Sequence, residues 1–182
     1  MTLTYRSLLF APGHDASRLH AAFASEADAV VADLEDSVPA ADKSRARDLV
    51  ADVLAGPTGT AARLIRINSP DSGPDERDVE ALALGANDLA ADLGLEATPG
   101  AQELLYARSK LVIDSIAAGL RGPFDRVYPL LDDPSGLEAD AAFARALGFR
   151  GKSALHPGHV GLINGVFSAL PEPAARDAIY RS

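Results

Sequence analysis

An α/β fold built on a parallel sheet is predicted from three observations. Short apolar, β-favouring runs alternate with amphipathic helical segments along almost the whole chain. The breaks between them carry Gly, Pro, Asp and Asn, the residues that end strands and cap helices. Two of the apolar runs finish in charged strings, Asp33-Leu34-Glu35-Asp36 and Arg66-Ile67-Asn68, and the carboxyl ends of strands are where α/β proteins do chemistry.

The elements follow in order. Ser7-Leu-Leu-Phe10 is strand-like and is ended by Ala11-Pro-Gly-His14. Asp15 is placed to N-cap a helix in which Leu19, Ala22 and Phe23 keep i, i+3, i+4 spacing. The second strand, from Ala29 to Leu34, runs into the acidic string. The next helix sets Ala46, Leu49, Val50, Val53 and Leu54 on one face and stops at Gly56. A third strand, Leu64-Ile-Arg-Ile67, leads to Asn68-Ser-Pro70 and a polar loop rich in Pro, Asp and Gly. Val79 to Gly85 reads as the end of a helix and the start of a strand in quick succession, followed by Asn87-Asp88 and by Ala90 to Gly94.

A long helix is expected from Glu103 to Ala118, with Leu105, Val112 and Ile116 in line and Gly119 as its stop. Val127-Tyr-Pro-Leu-Leu131 reads as another strand. Asp133-Pro134 supplies an N-cap with Pro at the first helical position, and Gly148 closes that helix. Lys152-Ser-Ala-Leu155 is the last strand, ending at His156-Pro157, and the tail from Pro171 reads as one further helix. Right-handed crossovers joining these strands make the sheet parallel.

Composition limits the function classes. The chain has 182 residues, 47% hydrophobic and 24% charged, which suits one globular α/β domain spanning 1–182 with a full core. Its net charge of -9 opposes a nucleic-acid backbone. Without cysteine there are no disulfides, thiol nucleophiles or thiolate metal sites. The opening Met-Thr-Leu-Thr-Tyr-Arg-Ser lacks the pattern of a signal peptide, and no apolar run approaches a membrane span of ~20 residues, so the expected location is the cytoplasm.

Arg66 lies among Leu64, Ile65 and Ile67 and points opposite to its immediate neighbours in a strand. A guanidinium there can grip a carboxylate with two prongs and stabilise an enolate oxygen; the plain alternative is a salt bridge to Glu35 or Asp36. Glu35 and Asp36 can equally be an acidic cap for the helix beginning near Pro39. Arg18 and Lys43 are candidate phosphate contacts or solvated helix charges. Lys152 and His156 lie at the last strand, where His156 is read as a hydrogen-bonded structural residue. Asp132 and Asp133 are read as structural, Asp133 through its cap.

Six stretches together resemble the citrate lyase beta subunit branch of the HpcH/HpaI aldolase family. They are Arg6 to Gly13, Ala27 to Asp36, Arg66-Ile-Asn68, Leu84 to Gly94, Leu131 to Gly136 and Gly148 to Pro157, all in the family's order. The resemblance implies a TIM barrel that makes or breaks a carbon–carbon bond beside a CoA thioester, using Mg²⁺. It implies Asp88 as a metal carboxylate, Glu35 and Asp36 as residues that position metal-bound water or substrate, and Pro12 and Gly13 as a turn passed by CoA. Asp88 otherwise reads as the cap of the turn that follows it.

The chain also departs from the family. A TIM barrel typically takes about 250 residues. Here the third strand leads directly to what resembles the family's sixth, and the metal-binding Glu of the fifth strand has no counterpart. The expectation is a TIM-barrel-like α/β fold with about six parallel strands, too few to close with the eight-stranded tilt and shear. Exposed strand edges then favour a homo-oligomer, with further lyase subunits as possible partners. The expected activity is Mg²⁺-dependent cleavage of a 3-hydroxyacyl-CoA thioester, of the citryl-CoA or malyl-CoA type, to an acyl-CoA and a 2-oxo acid. A catalytically impaired homologue acting as a subunit or binding module, and a metal-dependent 2-oxo-acid aldolase without CoA, are the alternatives.

Overall fold

A computed structural model describes residues 5–57, 59–66, 82–120 and 122–168. The described strands are β1 (Ser7–Pro12), β2 (Ala29–Asp33), β3 (Ala62–Arg66), β4 (Phe124–Asp125) and β5 (Gly151–Ala154). The helices are α1 (Ala16–Phe23), α2 (Lys43–Ala55), α3 (Ala86–Asp92), α4 (Leu105–Ala117), α5 (Pro134–Leu147) and α6 (Pro157–Phe167), with short 3₁₀ turns leading into α2 and α4. None of the described helices is long and apolar enough to cross a membrane.

All ladders are parallel and the strand order is β3-β2-β1-β5-β4. β1 pairs with β2 from Leu8↔Ala29 to Pro12↔Asp33, and with β5 from Ser7↔Lys152 to Leu9↔Ala154. β3 continues beyond β2, bringing Arg66 opposite Asp33. On the far side Ala83 bridges Phe124 in parallel, beyond β4. From Ala83 through β4 and β5 to β1, β2 and β3, the sheet runs in chain order with the last strand joined to the first. That is an arc of an α/β barrel. Among the described residues no ladder joins β3 to the segment around Ala83, so the arc is open there.

Strand alternation decides what each face packs against. Leu9, Ala11, Val30, Ala32 and Ala154 face the helices and join Leu19, Phe23, Val50, Leu137, Ile163 and Phe167 in the main core. Leu8, Ala29, Val31 and Phe124 form a smaller cluster with Tyr5, Phe10 and Ala62. Alternate residues of one strand therefore divide between two clusters.

Helix ends follow the local chemistry. The Asp15 Oδ1 accepts from the Arg18 N–H at 3.0 Å, and the Asp133 Oδ1 accepts from the Gly136 N–H at 2.9 Å. The Tyr128 hydroxyl also donates to Asp133 at 2.7 Å, and these two bonds hold the Asp133 carboxyl below the usual range. Gly148 ends α5 with φ at 106°, a left-handed conformation that suits glycine.

Three expectations need correction or addition. Val127–Leu131 is not a strand: pairing with β5 stops at Asp125. The next residue, Arg126, turns its guanidinium to Asp140 and the Pro99 carbonyl, and Pro129 has no N–H to continue a ladder. α4 is rotated from the phase its apolar residues suggest. Leu105 and Ile116 are exposed, whereas Arg108 and Ser115 are buried. α6 was not anticipated; Pro157 starts it and the His156 Nδ1 caps it by accepting from Gly158 N–H at 3.1 Å. The expected stretches Asn68-Ser-Pro70, Val79 to Ala81 and the helix from Pro171 lie outside the described residues.

The rotation of α4 has an electrostatic cause. Arg108 donates to Asp125 from Nε at 3.1 Å and from Nη2 at 2.8 Å, and reaches Asp140 at 3.3 Å. The Lys152 ammonium lies 2.8 Å from Asp125 and 2.6 Å from Asp140, and Arg126 lies 3.2 Å from Asp140. Arg108, Asp125 and Lys152 are fully buried. Removing a carboxylate here strands buried cations without a counter-charge. Asp125→Ala should therefore cost about 3–5 kcal/mol of stability, measured by urea unfolding; a loss below ~1 kcal/mol would refute this account.

A second ion pair ties the strand beginnings. The Arg6 guanidinium donates to Asp28 from Nε at 2.8 Å and from Nη2 at 2.7 Å, and the Arg6 backbone N–H donates at 2.7 Å. Burial pushes the Asp28 carboxyl up, but these bonds more than offset it and hold it below the usual range. A lowered folded pKa gives stability that is present above the ordinary carboxylate value and is lost as pH falls through the folded one. Wild-type protein should therefore lose more stability than Asp28→Asn between about pH 5 and pH 1. Denaturant titrations across that range check the difference.

Candidate active site

The ends of β1, β2 and β3 meet at one charged corner. The Gly13 N–H donates to the Asp33 carbonyl at 2.8 Å, and the Leu34 N–H donates to the Arg66 carbonyl at 2.9 Å, extending the pairing past the strands. A Cβ on Gly13 would stand 2.7 Å from the Asp33 carbonyl oxygen and 2.8 Å from the Leu34 side chain. Close packing alone thus requires glycine in the turn after β1. That accounts for Gly13 by packing, beside the CoA passage expected for Pro12 and Gly13.

The acidic string is folded on itself. Asp33, buried at the end of β2, accepts from the Glu35 N–H at 2.8 Å and the Ser37 N–H at 3.4 Å. This aims Glu35 and Asp36 across the sheet at Arg66, half-buried at the end of β3. Arg66 Nη2 bonds Asp36 Oδ2 at 2.6 Å and contacts Glu35 Oε2, while Nη1 lies 3.7 Å from Asp33 Oδ2. Burial lowers the Arg66 pKa, but Asp33, Asp36 and Glu35 raise it above its ordinary value. The salt bridge weighed from the sequence is therefore present. Both carboxylates fall on one nitrogen, and among the described residues Nη1 and Nε make no hydrogen bond.

Lys43 is neither a solvated helix charge nor turned outward for phosphate. Its ammonium reaches back to the carbonyls of Leu34 at 2.9 Å and Glu35 at 2.5 Å. One sequence signal marks it: a cation in the first turn of a helix opposes the helix dipole by roughly 0.3–1 kcal/mol. Arg18 does behave as a surface charge, 3.5 Å from Asp15.

The other expected residues lie apart from this corner. Asp88 is exposed in the first turn of α3, whose N-cap is Gly85 with no side-chain cap, so the capping reading of Asp88 is not what forms. No hydrogen bond or ion pair joins Asp88 to Arg66, Glu35 or Asp36 among the described residues. His156 caps α6, Lys152 is sealed in the ion cluster, Asp133 caps α5 and Asp132 is exposed. That cluster of Arg108, Asp125, Arg126, Asp140 and Lys152 was missed in the sequence, where its members are scattered over four elements and a loop.

Magnesium takes oxygen ligands, often one or two carboxylates with substrate oxygens and water completing the shell. Among the described residues no three Asp, Glu or His side chains group to hold a metal on their own. Asp88, exposed and without an ion-pair partner among them, fits an ion that draws its remaining ligands from substrate and water.

A chain-ordered parallel arc with charged groups gathered at its carboxyl-terminal strand ends defines an enzyme of the α/β-barrel class. The family model for HpcH/HpaI aldolase/citrate lyase matches residues 6–82 and 75–157, and the chain belongs to that family. The expected family, barrel-like fold and carbon–carbon lyase class are thus borne out. A citrate lyase subunit beta-like protein of Deinococcus radiodurans is 29% identical over 236 residues, covering 94% of this chain and 82% of its own. The mitochondrial citramalyl-CoA lyase of Rattus norvegicus is 24% identical over 245 residues, covering 92% and 72%. A crystal structure of CitE from Mycobacterium tuberculosis with magnesium, acetoacetate and coenzyme A shares the fold. Its TM-score is 0.74 at 22% identity, covering 97% of this chain and 86% of that one. Both sequence alignments are longer than this 182-residue chain, so these relatives carry residues it lacks.

Proposed function

We propose that this chain is a carbon–carbon lyase for a 3-hydroxyacyl-CoA thioester of the citryl-CoA or malyl-CoA type. The observation that carries the reading is Arg66, fixed at the end of β3 through Nη2 with Nη1 and Nε left unbonded among the described residues. In the reaction the C3 hydroxyl loses its proton and the C2–C3 bond breaks. The bonding electrons pass to C2 as a thioester enolate, which is then protonated to the acyl-CoA, while C3 becomes the carbonyl of a 2-oxo acid. Arg66 would hold the carboxylate beside C3 and offset the negative charge that develops.

Glu35 and Asp36 orient Arg66 and are the candidates for taking the hydroxyl proton; Pro12 and Gly13 would border the CoA path. Magnesium, when bound, supplies Lewis-acid polarisation of the oxo oxygen, with Asp88 as its ligand from this chain. The magnesium and coenzyme A of the CitE structure and the CoA ester in the name of the rat relative support a magnesium-using reaction on a CoA ester. An oligomer, and further lyase subunits, belong to the same proposal.

Among the described residues the arc is open and no carboxylate cluster forms, and this favours a second reading, a catalytically impaired homologue that binds CoA esters. Assay on malyl-CoA and citryl-CoA with Mg²⁺ separates the two. On the lyase reading Arg66→Ala should lower kcat by about 10²–10³. Asp88→Asn should weaken Mg²⁺ binding by calorimetry and remove the Mg²⁺ dependence of turnover. Binding of the CoA esters without turnover by wild-type protein would decide for the impaired homologue.

A further inference from the structure

We infer that Lys43 is a positioning residue: it locks the peptides of Leu34 and Glu35 so that two carboxylates converge on Arg66 Nη2. The inference rests on the reading of Arg66 as the carboxylate-binding group, and assigns Lys43 a part in that reaction.

The geometry around Glu35 carries it. The Glu35 N–H is held by Asp33 Oδ1 at 2.8 Å, and its carbonyl by Lys43 Nζ at 2.5 Å and by the Val38 N–H at 3.2 Å. Lys43 also holds the Leu34 carbonyl, whose own N–H is bonded to the Arg66 carbonyl. The peptide between Leu34 and Glu35 is thus pinned at both polar ends, and Lys43 is the side chain that pins its carbonyl. Glu35 and Asp36 leave this fixed segment in directions that bring both onto the same guanidinium nitrogen. Without Lys43 the buried Leu34 loses the charged partner of its carbonyl, and the Glu35 carbonyl keeps only the longer bond from the Val38 N–H. The rest of the loop stays tethered through Asp33, so the loss is one of orientation.

The charge count gives Lys43 a second effect. Asp33, Glu35 and Asp36 outnumber Arg66 at this corner, and Lys43 is a further positive charge bonded to the same loop. A substrate carboxylate approaching Arg66 meets less repulsion with that charge in place.

Two measurements on full-length protein test this, and only one needs activity. The first is the ¹⁵N–¹H signal of the Arg66 Nε–H, assigned by its loss in Arg66→Lys. In wild-type protein it should be sharp and shifted from the free-arginine position. In Lys43→Met it should collapse toward that position with the backbone spectrum away from residues 33–43 unchanged, and Lys43→Arg should restore it in part. An unchanged Arg66 signal in Lys43→Met overturns the inference whether or not the protein is a lyase. The second is a double-mutant cycle on malyl-CoA turnover. Lys43→Met should raise KM by tenfold or more while CoA binding by calorimetry stays within twofold, and should add less than twofold in an Arg66→Ala background. A full tenfold loss retained in that background also overturns it. Absence of wild-type turnover would sink the lyase reading alone and leave the signal to decide on Lys43.

Discussion

The charged corner depends on the pairing of the first strand with the last. β1 accepts β5 along one edge and β2 along the other, so residues 7–9 stand opposite 152–154 with most of the chain between them. Arg6 fixes this arrangement at the strand beginnings. Its carbonyl accepts from the Lys152 N–H at 3.0 Å, its backbone N–H and guanidinium engage Asp28 just before β2, and its Nη1 reaches Ser168 after α6 at 2.7 Å. One residue therefore sets the register of three strands. A slip of one position would turn Leu9 and Val30 out of the helix-side core and put Leu8 and Val31 there instead. A slip between β2 and β3 would move Arg66 from its place opposite Asp33. The cost is kinetic, since such distant pairing must close a long loop before any contact offsets the entropy.

The last strand is held from its other side by charge. Lys152 sends its backbone into the ladder with β1 and its side chain into the buried cluster with Asp125 and Asp140. Through Arg108 and Arg126 that cluster reaches α4 and the loop after β4. Ion pairs of this kind contribute modestly to net stability because desolvation offsets the attraction. What they do here is select an arrangement. A fork of guanidinium donors and two carboxylates match in one geometry, and apolar residues in their place would pack in several. The choice is visible in α4, which buries Arg108 and Ser115 and leaves Leu105, Tyr106, Ile113 and Ile116 exposed.

This explains which features the sequence displayed and which it hid. The positions of β1, β2, β3 and β5, the caps at Asp15 and Asp133 and the stops at Gly56 and Gly148 were legible because each follows from chemistry within a few residues. The shortage of strands was legible from length and motif order. The phase of α4 was not, because apolar periodicity ranks Leu105 and Ile116 above an arginine and cannot see Asp125 and Asp140 arriving from β4 and α5. The strand misplaced onto Val127–Leu131 failed similarly: its apolar run fits a strand, but pairing with β5 stops at Asp125, where Arg126 turns to Asp140 and the Pro99 carbonyl. At the site, Arg66 and the acidic string were legible as strand-end charges. Lys43 was visible only as an unfavourable charge at a helix start, and its bonds to the Leu34 and Glu35 carbonyls depend on how the chain doubles back.

Charge balance links the intact corner to the rest of the proposed chemistry. Three carboxylates around one guanidinium leave an excess of negative charge, reduced but not removed by Lys43. An arginine meant only to bind an anionic substrate would be weakened by such neighbours, because an approaching carboxylate feels their repulsion as well as its attraction. The arrangement makes sense if the carboxylates serve to aim the guanidinium and a further cation joins when substrate binds. On the lyase reading that cation is the magnesium ion for which Asp88 offers a ligand. Asp88 lies on α3, which follows the Ala83 bridge, whereas Arg66 lies on β3, so the two halves of the site stand on opposite sides of the opening in the arc. Whatever spans that opening, within the chain or from a second one, then sets the distance between metal and guanidinium. On the lyase reading, catalysis is thereby tied to how the opening between β3 and the Ala83 segment, seen among the described residues, is bridged.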